Sequence, residues 1–329
     1  MNEIDFVILW VDGSDIAWQR EKSKYLPGHD ADASAMRYRS WDNLQYWFRG
    51  VEKYAPWVRQ IHFVTPGHFP SWLNQSHPKL KCVNQNDFLD PKNIPVFNSN
   101  AVEVNIHRLP DLSEQFVLFC DDMFITNKVN ETDFFKDGLP CDQAVLNSFV
   151  PLGLFSYIDF NNMIAINRHF KLKKVMKEHF SKWYNPIYGG QNFANFLFSF
   201  WNGFARFVYP HLPVPYLKKS FKEVWEAEPE LLSRTSAARF RSREDCSHLL
   251  CRYWQFATGK FSPAPVLGKK FNVYNDHRKN LPISEAILKQ SYKMICINEF
   301  ENQIDFDAEK KAVQDAFEKI FPEKSSFEL

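Results

Sequence analysis

Glycine is scarce in this chain, and neither sign of charge is in excess. The 329 residues include only 11 glycines, while 40 Lys and Arg balance 39 Asp and Glu to give a formal net charge of +1. So few glycines exclude a collagen or a flexible linker array. A dedicated nucleic-acid-binding protein normally carries a basic excess, which is missing here. The hydrophobic share of 45% and the charged share of 24% are those of an ordinary globular protein.

Cysteine is sparse and scattered. The six cysteines lie at positions 82, 120, 141, 246, 251 and 296, and none forms a CxxC pair. This spacing indicates reduced thiols and a cytoplasmic location. Cys246, His248 and Cys251 resemble half of a zinc site, but no second Cys/His pair at zinc spacing accompanies them. A helix with buried thiols is the favoured interpretation.

Long apolar runs are also missing. The longest, such as residues 6–11 and 116–120, are far shorter than the roughly 20 residues of a membrane-spanning helix. The first residues include Asn2, Glu3 and Asp5 and no basic stretch. The sequence therefore predicts neither a transmembrane segment nor a signal peptide.

Apolar strands and helical patterns alternate in the first half. Residues 4–11, 61–65, 80–83 and 116–120 have the pattern of buried strands, and residues 40–54 and 97–109 that of helices. The second half is mostly helical, with a rigid loop at 210–215, a loop-rich stretch at 259–282 and a short strand at 294–297. This order predicts an α/β fold, in which ligands bind beyond the carboxyl ends of the strands.

Two acidic groups follow predicted strands. Asp12 and Asp15 flank Gly13 after the first strand, an arrangement that can hold a nucleotide ribose or a metal. A capped turn with a solvated Asp15 is the alternative. Asp121 and Asp122 follow residues 116–120, and adjacent carboxylates repel unless a cation compensates them. The second pair therefore resembles the carboxylates that hold Mg²⁺ or Mn²⁺ on the diphosphate of a nucleotide sugar.

Basic residues gather in the second half. His211 lies between two prolines, and Lys218 and Lys219 follow it. Four arginines lie within ten residues; they are Arg234, Arg239, Arg241 and Arg243. Because the two-pronged guanidinium group matches phosphate oxygens, they suggest a phosphate contact. A solvated basic surface is equally consistent with this pattern. A histidine fixed near arginines can act as a general base. Asn98, His107 and Arg108 form a further polar group that by itself indicates little.

Motifs along nearly the whole chain resemble those of the Stealth family of sugar-phosphate transferases. Four blocks occur in the family's order, from about residue 4 to residue 299. The first runs from Ile4-Asp5 through Trp10-Val11-Asp12-Gly13-Ser14-Asp15, and the second from Arg37-Tyr38-Arg39-Ser40 through Cys120-Asp121-Asp122-Met123-Phe124. The third consists of His211-Leu212-Pro213 with Arg239-Phe240-Arg241-Ser242, and the fourth is Cys296-Ile297-Asn298-Glu299. Three positions depart from the usual pattern: Cys120 stands where the family has Asn, Leu212 where a small residue is common, and Glu299 where Asp is frequent.

The resemblance implies a fold and a reaction. The expected fold is a glycosyltransferase-A-like, Rossmann-type mixed sheet flanked by helices, with a helical C-terminal portion that completes the site. Residues 1–329 would form one catalytic unit, in which 1–150 bind the nucleotide sugar and 151–329 supply acceptor and phosphate residues. The expected reaction moves a sugar 1-phosphate from a UDP-hexose or UDP-N-acetylhexosamine to an acceptor glycan hydroxyl, releasing UMP, in capsule or cell-surface polysaccharide synthesis.

The resemblance also implies roles for individual residues. Asp121 and Asp122 would hold Mg²⁺ or Mn²⁺, and Asp122 would also take part in catalysis. Arg239 and Arg241 would steady the transferred phosphoryl group. His211 would accept the acceptor proton, with His107 as the alternative base. The remaining predicted substrate-binding residues are Asp12, Gly13, Asp15, Asn98, His107, Arg108 and Asn298.

Other interpretations stay open at this point. An ordinary glycosyltransferase would use the same donor but release UDP, and a lectin-like module would bind sugars without chemistry. The predicted partners are a UDP-sugar and a free or lipid-linked glycan, with no nucleic acid and no indicated oligomeric state. The predicted location is cytoplasmic. An extension of that hypothesis is peripheral contact with the inner face of the cytoplasmic membrane through the Lys218–Lys219 region or the terminal helix.

Overall fold

A computed structural model describes residues 3–26, 38–151, 153–299 and 305–329. Arg37, which the second sequence block includes, lies outside these ranges. The strands are β1 (Ile4–Leu9), β2 (Ile61–Thr65), β3 (Leu80–Asn84), β4 (Gln115–Phe119), β5 (Met123–Ile125), β6 (Phe135–Lys136), β7 (Leu139–Asp142), β8 (Val214–Leu217), β9 (Ser262–Pro263), β10 (Gly268–Val273) and β11 (Met294–Glu299).

The two helices predicted at 40–54 and 97–109 are shorter in the structure, where they are Leu44–Tyr54 and Ser99–Glu103. The helices of the described residues are α1 (Ile16–Ser23), α2 (Leu44–Tyr54), α3 (Ser99–Glu103), α4 (Glu131–Phe134), α5 (Leu154–His169), α6 (Leu172–Glu178), α7 (Phe180–Trp183), α8 (Asn192–Phe198), α9 (Lys218–Ala227), α10 (Pro229–Ala237), α11 (Leu249–Ala257), α12 (His277–Leu288) and α13 (Phe306–Ile320). Short 3-10 helices lie at Gln85–Asp87, Pro91–Asn93, Ile106–Arg108 and Pro186–Gln191.

The main sheet has the strand order β3-β2-β1-β4-β8. Strands β1 to β4 run parallel, and β8 pairs with β4 in the antiparallel direction. The central strands are apolar on both faces because helices cover both sides of the sheet. Their carboxyl ends all lie at one edge, where polar segments follow β1, β2 and β4.

Two hydrophobic cores cover the two faces of this sheet. Val7 and Leu118 point into one core, which packs against helices of the second half such as α5, α9 and α11. Phe6 and Phe119 point into the other, with α2, α13 and the second sheet. Side chains alternate along a strand, so neighbouring residues necessarily enter different cores. Each core combines residues from the 1–150 and 151–329 parts of the chain.

A smaller sheet has the order β10-β11-β5. β10 and β11 are parallel, while β5 runs antiparallel to β11. β5 begins at Met123, directly after the acidic pair, and Ile297 N–H donates to Asp122 O at 2.8 Å. This pairing brings the end of β11 beside Asp122. A third small sheet joins β6, β7 and β9.

The predicted mixed α/β sheet flanked by helices, with a largely helical C-terminal portion, is confirmed. Two local expectations were wrong. The rigid loop at 210–215 ends in β8, which tolerates Pro215 because an edge strand has one unpaired side. The stretch 259–282 contains β10, whose alternation is hidden by Lys269 and Lys270 at an edge.

Within the described ranges, no helix is both long enough and apolar enough to cross a bilayer.

Candidate active site

The site lies at the carboxyl edge of the main sheet, where β4 ends. Cys120, Asp121 and Asp122 form a turn closed by the Met123 N–H donating to Cys120 O at 3.2 Å. Strand β1 lies next to β4, with Ile8 paired to Phe119. The Asp12 segment therefore emerges at the same edge as the acidic pair.

Asp122 is the centre of this cluster. The Cys296 thiol donates to Asp122 Oδ2 at 3.2 Å, and the same sulfur lies 3.7 Å from His211 Nδ1. Asp122 Oδ1 is buried and has no hydrogen-bond partner among the described residues. A buried carboxylate oxygen without a hydrogen-bond partner lowers the stability of the folded protein. A ligand from outside the chain is therefore the expected partner of this atom.

The pKa of the Asp121 carboxyl is strongly raised. The Asp121 side chain reaches solvent, but the surrounding protein and the adjacent Asp122 charge raise the pKa of its carboxyl to about 7. Two neighbouring carboxylates cannot both stay charged at low cost without a compensating cation. The pair is therefore poised for a positively charged ligand.

His211 is held in an unusual backbone conformation. Its φ is +54°, a left-handed value that a non-glycine residue rarely adopts and that often marks a functional position. Burial lowers the pKa of its imidazole, and the Asp122 carboxylate opposes that shift. The Tyr209 ring lies 5.4 Å away, centroid to centroid. The ring thus faces Cys296 and Asp122 from the start of β8.

The residues present fit a hard divalent cation through the carboxylates. Among the described residues, one potential metal-binding group stands out: Cys120, Asp122 and His211 offer ligand atoms within 4.8 Å of one another. Burial and the nearby Asp122, Glu103 and Asp121 charges raise the pKa of the Cys120 thiol well above its ordinary value. A protonated thiol is a poor ligand for Mg²⁺ or Mn²⁺, which prefer oxygen. Asp122 Oδ1 and Asp121 are the donors that suit such an ion.

The arginine loop is fastened to helix α3 beside this cluster. Arg241 donates through NH2 to Ser99 Oγ at 2.6 Å, and its charge acts on both Cys120 and His211. Asn98 caps α3 and donates to Asp245 Oδ2 at 2.9 Å and to Ala238 O at 3.1 Å. Asn98 is thus buried within the protein framework and positions the loop that carries Arg241.

Arg239 lies further out. Its side chain is exposed, with the guanidinium 4.8 Å from the centroid of the Tyr25 ring. Its carbonyl accepts a hydrogen bond from Phe97 N–H at 2.8 Å, which places the residue next to α3. Arg234 and Arg243 are exposed, and Arg234 lies 3.7 Å from Glu244. Of the four arginines, Arg241 is the one that the structure brings to the acidic cluster.

The carboxylates of Asp12 and Asp15 stabilise the turn after β1 by accepting hydrogen bonds from nearby residues. Asp12 Oδ1 accepts hydrogen bonds from Ser14 N–H and Oγ at 2.8 and 2.6 Å, and Asp15 caps α1 by accepting from Trp18 N–H at 2.6 Å. Gly13 has no room for a side chain, because a Cβ there would lie 1.8 Å from Tyr38 O. Both acids therefore have structural partners while lying at the edge of the sheet that carries Asp122.

Asn298 lies at the end of β11, two residues after Cys296. It donates to Asn272 Oδ1 at 3.0 Å on the neighbouring strand β10. Glu299, the departure from the family pattern, forms an ion pair with Arg39 and accepts from Trp41 Nε1 at 3.3 Å. The longer Glu side chain thus links β11 to the segment before α2.

His107 and Arg108 are not brought to this cluster. The His107 ring stacks on Phe221 of α9 at 6.0 Å, and the Arg108 guanidinium lies 4.5 Å from the Trp225 ring centroid. α9 begins directly after Leu217, which pairs with Gln115 at the start of β4. The acidic pair follows the opposite end of β4. Burial and neighbouring cations lower the pKa of His107 to about 4.

Several residues at the site carried little signal in the sequence. Cys296 contacts both Asp122 and His211, although the sequence offered only its place in the fourth block. Lys270 on β10 is paired in register with Cys296, and its charge acts on His211. His68 follows β2, and its Nε2 accepts from Asp12 N–H at 2.7 Å. Pairing of β10 with β11 brings Lys270 beside Cys296, and the loop after β2 brings His68 to Asp12.

Two of the three residues that resemble half of a zinc site, Cys246 and His248, contact other protein groups. His248 Nδ1 lies 2.7 Å from the Tyr216 hydroxyl, and Cys246 Sγ lies 3.3 Å from Thr235 Oγ1. All three residues are buried at the start of α11 or within it. The favoured interpretation, a helix with buried thiols, agrees with this arrangement.

Comparison with solved structures gives only weak similarities. The galactosyltransferase LgtC, crystallised with donor and acceptor sugar analogs, is 10% identical with a TM-score of 0.40, covering 94% of this chain and 95% of that one. Mouse xyloside xylosyltransferase 1 has a TM-score of 0.35 at 10% identity, covering 89% of this chain and 97% of that one. Scores this low carry no argument, so the fold class rests on the sheets described above.

Sequence comparison is far stronger. Residues 2–30 match Stealth protein CR1, conserved region 1, and residues 37–141 match Stealth protein CR2, conserved region 2. A capsular polysaccharide phosphotransferase WcwK of Streptococcus pneumoniae is 41% identical over 100% of this chain and 98% of its own length. The exopolysaccharide phosphotransferase cps2G of Lactiplantibacillus plantarum is 38% identical over 99% and 96%. The receptor polysaccharide phosphotransferase WefC of Streptococcus oralis is 37% identical over the full length of both chains. The chain therefore belongs to the Stealth family, within a group of polysaccharide phosphotransferases, as the motifs predicted.

Proposed function

We propose that this enzyme transfers a sugar 1-phosphate from a UDP-hexose or UDP-N-acetylhexosamine to a hydroxyl of an acceptor glycan. The acceptor oxygen forms a bond to the phosphorus that carries the sugar. The bond from that phosphorus to the bridging oxygen breaks, UMP leaves with the electron pair, and the product is a phosphodiester. The names of its relatives support phosphotransfer in polysaccharide synthesis.

One observation carries the proposal. Asp122, with an unpartnered buried oxygen, lies beside His211, and Arg241 is close enough for its charge to act on that histidine. Phosphoryl transfer needs charge neutralisation, positioning and a proton acceptor more than it needs a covalent nucleophile. These three residue types at one edge of the sheet supply those requirements.

Asp121 and Asp122 are the residues that would hold a divalent cation. Bound there against the diphosphate, Mg²⁺ or Mn²⁺ would neutralise charge on the phosphate oxygens and on the departing UMP. The unpartnered Asp122 Oδ1 is the structural support for this assignment. Cys120 stays outside the ligand set because a thiol is a soft donor, whereas Mg²⁺ and Mn²⁺ prefer oxygen.

His211 accepts the proton of the acceptor hydroxyl. Its Nδ1 faces the Cys296 sulfur at 3.7 Å, which leaves Nε2 for the acceptor. Arg241, held by Ser99, contacts the transferred phosphoryl oxygens, because a guanidinium matches two of them at once. Arg239, at the exposed end of the same loop, binds the outer phosphate or the acceptor.

The turn formed by Asp12, Gly13 and Asp15 lines the nucleotide pocket. Asn298 adjoins the acidic pair, because the neighbouring Ile297 N–H donates to Asp122 O. Asp12 Oδ1 is already occupied by Ser14, so its second oxygen is the atom available to a ribose. Asn98 serves the site by positioning the arginine loop. His107 and Arg108, next to α9, are assigned no contact with the donor.

The identity of the phosphorus product tests the proposal. The purified enzyme is incubated with candidate UDP-sugars, Mg²⁺ and an oligosaccharide acceptor, and nucleotides are separated while the glycan is examined by phosphorus NMR. We expect UMP in equal amount to a new phosphodiester signal. Release of UDP without a phosphodiester would instead identify an ordinary glycosyltransferase and overturn the proposal.

A matched pair of variants links that activity to the site. Asp122→Asn removes the charge that faces His211 and is expected to abolish UMP release. Asp137→Asn changes an exposed turn residue at φ +53°, a conformation that Asn also adopts, and should leave activity unchanged. Equal activity of both variants would exclude Asp122 from the reaction.

A further inference from the structure

A large apolar surface is exposed on the helices of the second half. Phe193, Phe200 and Trp201, in and just after α8, are 64%, 64% and 54% exposed. The same surface, called the aromatic surface below, also includes Phe180, Ile187, Phe196 and Leu197 around α7 and α8, and Phe155, Tyr157, Phe160 and Ile164 on α5. Single exposed apolar residues are common, but a contiguous set of this size marks an interaction site.

The sequence of this region separates aromatic from charged residues. Residues 183–205 contain no Asp, Glu, Lys, Arg or His. Within residues 153–206 as a whole, seven Lys or Arg face two acids, so the segment carries a net charge of +5 in a chain whose total is +1. The exposed cations lie at the end of α5 and on α6; they are Arg168, Lys171, Lys173, Lys174 and Lys177.

The α5 and α8 parts of the aromatic surface are joined by hydrogen bonds and a groove. Asn167 on α5 donates to Phe204 O at 2.9 Å and accepts from Phe204 N–H at 2.8 Å, just beyond Trp201. An open groove of about 510 Å³ lies between α5 and the segment after α8, lined in part by Phe160, Ile164 and Phe204. The two parts of the aromatic surface therefore adjoin where the end of α5 meets the segment after α8.

This surface reaches the edge of the active site. The Arg241 guanidinium, which lies beside the acidic cluster, is 5.0 Å from the centroid of the Phe155 ring. Arg243 lies 5.0 Å from the centroid of the Tyr157 ring. A partner seated on the Phe155 end of the aromatic surface would therefore be next to the site, whereas the α8 residues adjoin Asn167, about 18 Å further along α5.

We propose that the aromatic surface docks this enzyme on a bilayer that contains anionic phospholipids. Phe193, Phe196, Phe200 and Trp201 would insert at the level of the headgroups, and the cations of α6 would contact the lipid phosphates. Exposed aromatic residues combined with nearby lysines are the composition that binds such an interface. The inference concerns where the enzyme acts and does not rest on the proposed donor or on UMP release.

Charge favours a bilayer over a second copy of the chain. A symmetric dimer through this surface would bring the exposed Lys171, Lys173 and Lys177 of one copy towards the same lysines of the other, because a two-fold interface uses the same patch on both subunits. An anionic membrane complements that charge instead. Of the two surfaces named from the sequence, the Lys218–Lys219 region has Lys218 bonded to Leu112 O at 3.2 Å and Lys219 exposed, and α13 buries Phe317.

Vesicle flotation tests the proposal with the full-length chain. Two kinds of vesicle are compared at low salt. One contains phosphatidylcholine with roughly 30 to 50 mol% phosphatidylglycerol, which gives it an anionic surface, and the other contains phosphatidylcholine alone. We expect the protein to float with the anionic vesicles. The variant Phe193→Ser/Phe196→Ser/Phe200→Ser should lower the bound fraction at least about tenfold, and Lys171→Gln/Lys173→Gln/Lys177→Gln by about tenfold at low salt but little at high salt.

The control removes equally exposed apolar residues elsewhere. Leu281 and Leu288 on α12 are 48% and 42% exposed, and Leu281→Ser/Leu288→Ser should bind vesicles as the wild type does. Circular dichroism and thermal unfolding check that each variant is folded. As an independent measurement, lipids brominated in the acyl chain should quench the tryptophan fluorescence, and Trp201→Phe should remove most of that quenching.

Three results would overturn the proposal. The wild type could fail to float with anionic vesicles at low salt. Both apolar variants could lower binding equally. Alternatively, sedimentation without lipid could show a wild-type dimer that the α8 variant dissociates, which would identify the aromatic surface as a contact between two copies.

Discussion

Asn98 Nδ2 donates to Asp245 Oδ2 at 2.9 Å across 147 positions of the chain. This bond, together with the one to Ala238 O, ties the loop of Arg239 and Arg241 to the start of α3. The family resemblance implied a substrate contact for Asn98. The structure instead places its amide 2% exposed among protein partners, so its effect on catalysis would pass through Arg241.

We therefore expect Asn98→Ala to act on both stability and turnover. The buried Asp245 carboxylate would lose a donor, which costs about 1–3 kcal/mol in the free energy of unfolding. The arginine loop would shift, so kcat should fall more than KM for the donor rises. Urea unfolding and steady-state kinetics measure the two effects. Asn86→Ala, at an exposed position, is the control, and an unchanged kcat for Asn98→Ala would remove the positioning role.

Gly13→Ala should disturb the nucleotide pocket. The added Cβ would lie 1.8 Å from Tyr38 O, so the backbone must move apart, at a cost of about 1–3 kcal/mol. We expect KM for the UDP-sugar to rise with a smaller change in kcat. Gly190→Ala is a matched control because a Cβ there meets no atom within 4 Å. If both variants bind the donor as the wild type does, the turn after β1 does not contact the nucleotide.

Asp5 at the start of β1 links stability to pH. Burial would raise the pKa of its carboxyl, but hydrogen bonds from His62, Arg59 and the Ser113 N–H hold it below its ordinary value of 3.8. A depressed folded-state pKa contributes stability that is present above about pH 4 and is lost as the pH falls through the folded value.

Replacing Asp5 by Asn should lower the free energy of unfolding by about 2–4 kcal/mol at pH 7, because His62 and Arg59 lose a buried partner. The difference between wild type and variant should shrink below about pH 4. Urea unfolding at several pH values measures both. Asp315→Asn, at an exposed ion pair with Lys311, should change stability by less than about 0.5 kcal/mol. A difference that stays constant down to pH 3 would contradict the linkage.

The two candidate bases are distinguishable by mutation. His211→Ala should lower kcat by about 10²–10⁴-fold, since a positioned general base contributes that much. His107→Ala should leave kcat near the wild-type value and lower stability by about 1–2 kcal/mol, because its ring packs on Phe221. The opposite pattern would exchange the roles of the two histidines.

His107 also predicts an acid-sensitive stability. The pKa of His107 in the folded protein, about 4, lies below the ordinary 6.5. The stability that the neutral His107 contributes to the folded protein is therefore present above pH 6.5 and is lost as the pH falls from there toward 4. The stability difference between wild type and His107→Ala should therefore narrow over that window. Thermal unfolding between pH 7.5 and 4.5 measures it.

Removal of divalent metal should stop the reaction. We expect EDTA to lower activity by about a hundredfold or more and Mg²⁺ or Mn²⁺ to restore it, because the acidic pair needs a compensating cation to bind a diphosphate. Cys120→Ser should keep most of the activity, since a hard cation prefers the carboxylate oxygens to a soft sulfur donor. Full activity in EDTA, or strict dependence on Cys120, would contradict the carboxylate assignment.

Local pattern was sufficient for much of the fold. Continuous apolar runs identified the four parallel strands, and the spacing of Leu44, Trp47, Phe48 and Val51 identified α2, which buries all four on one face. β8 and β10 were missed, because Pro215 and the Lys269–Lys270 pair mask strands that lie at sheet edges. β10 is partly exposed, and β8 is buried but contains a proline, so neither strand has the composition of a central strand.

The sequence by itself determined the family, the α/β class and the residue types that phosphoryl transfer needs, because motifs and strand periodicity are local properties. Only the tertiary structure decided which of those residues meet. It brought Asp122, His211 and Cys296 together across 174 positions, placed Asn98 in the framework, and left His107 beside α9. It also showed that the aromatic residues of α5 and α8 are exposed. Neither result is local, since side-chain contacts and exposure depend on how the strands pair and which helix faces the sheet covers.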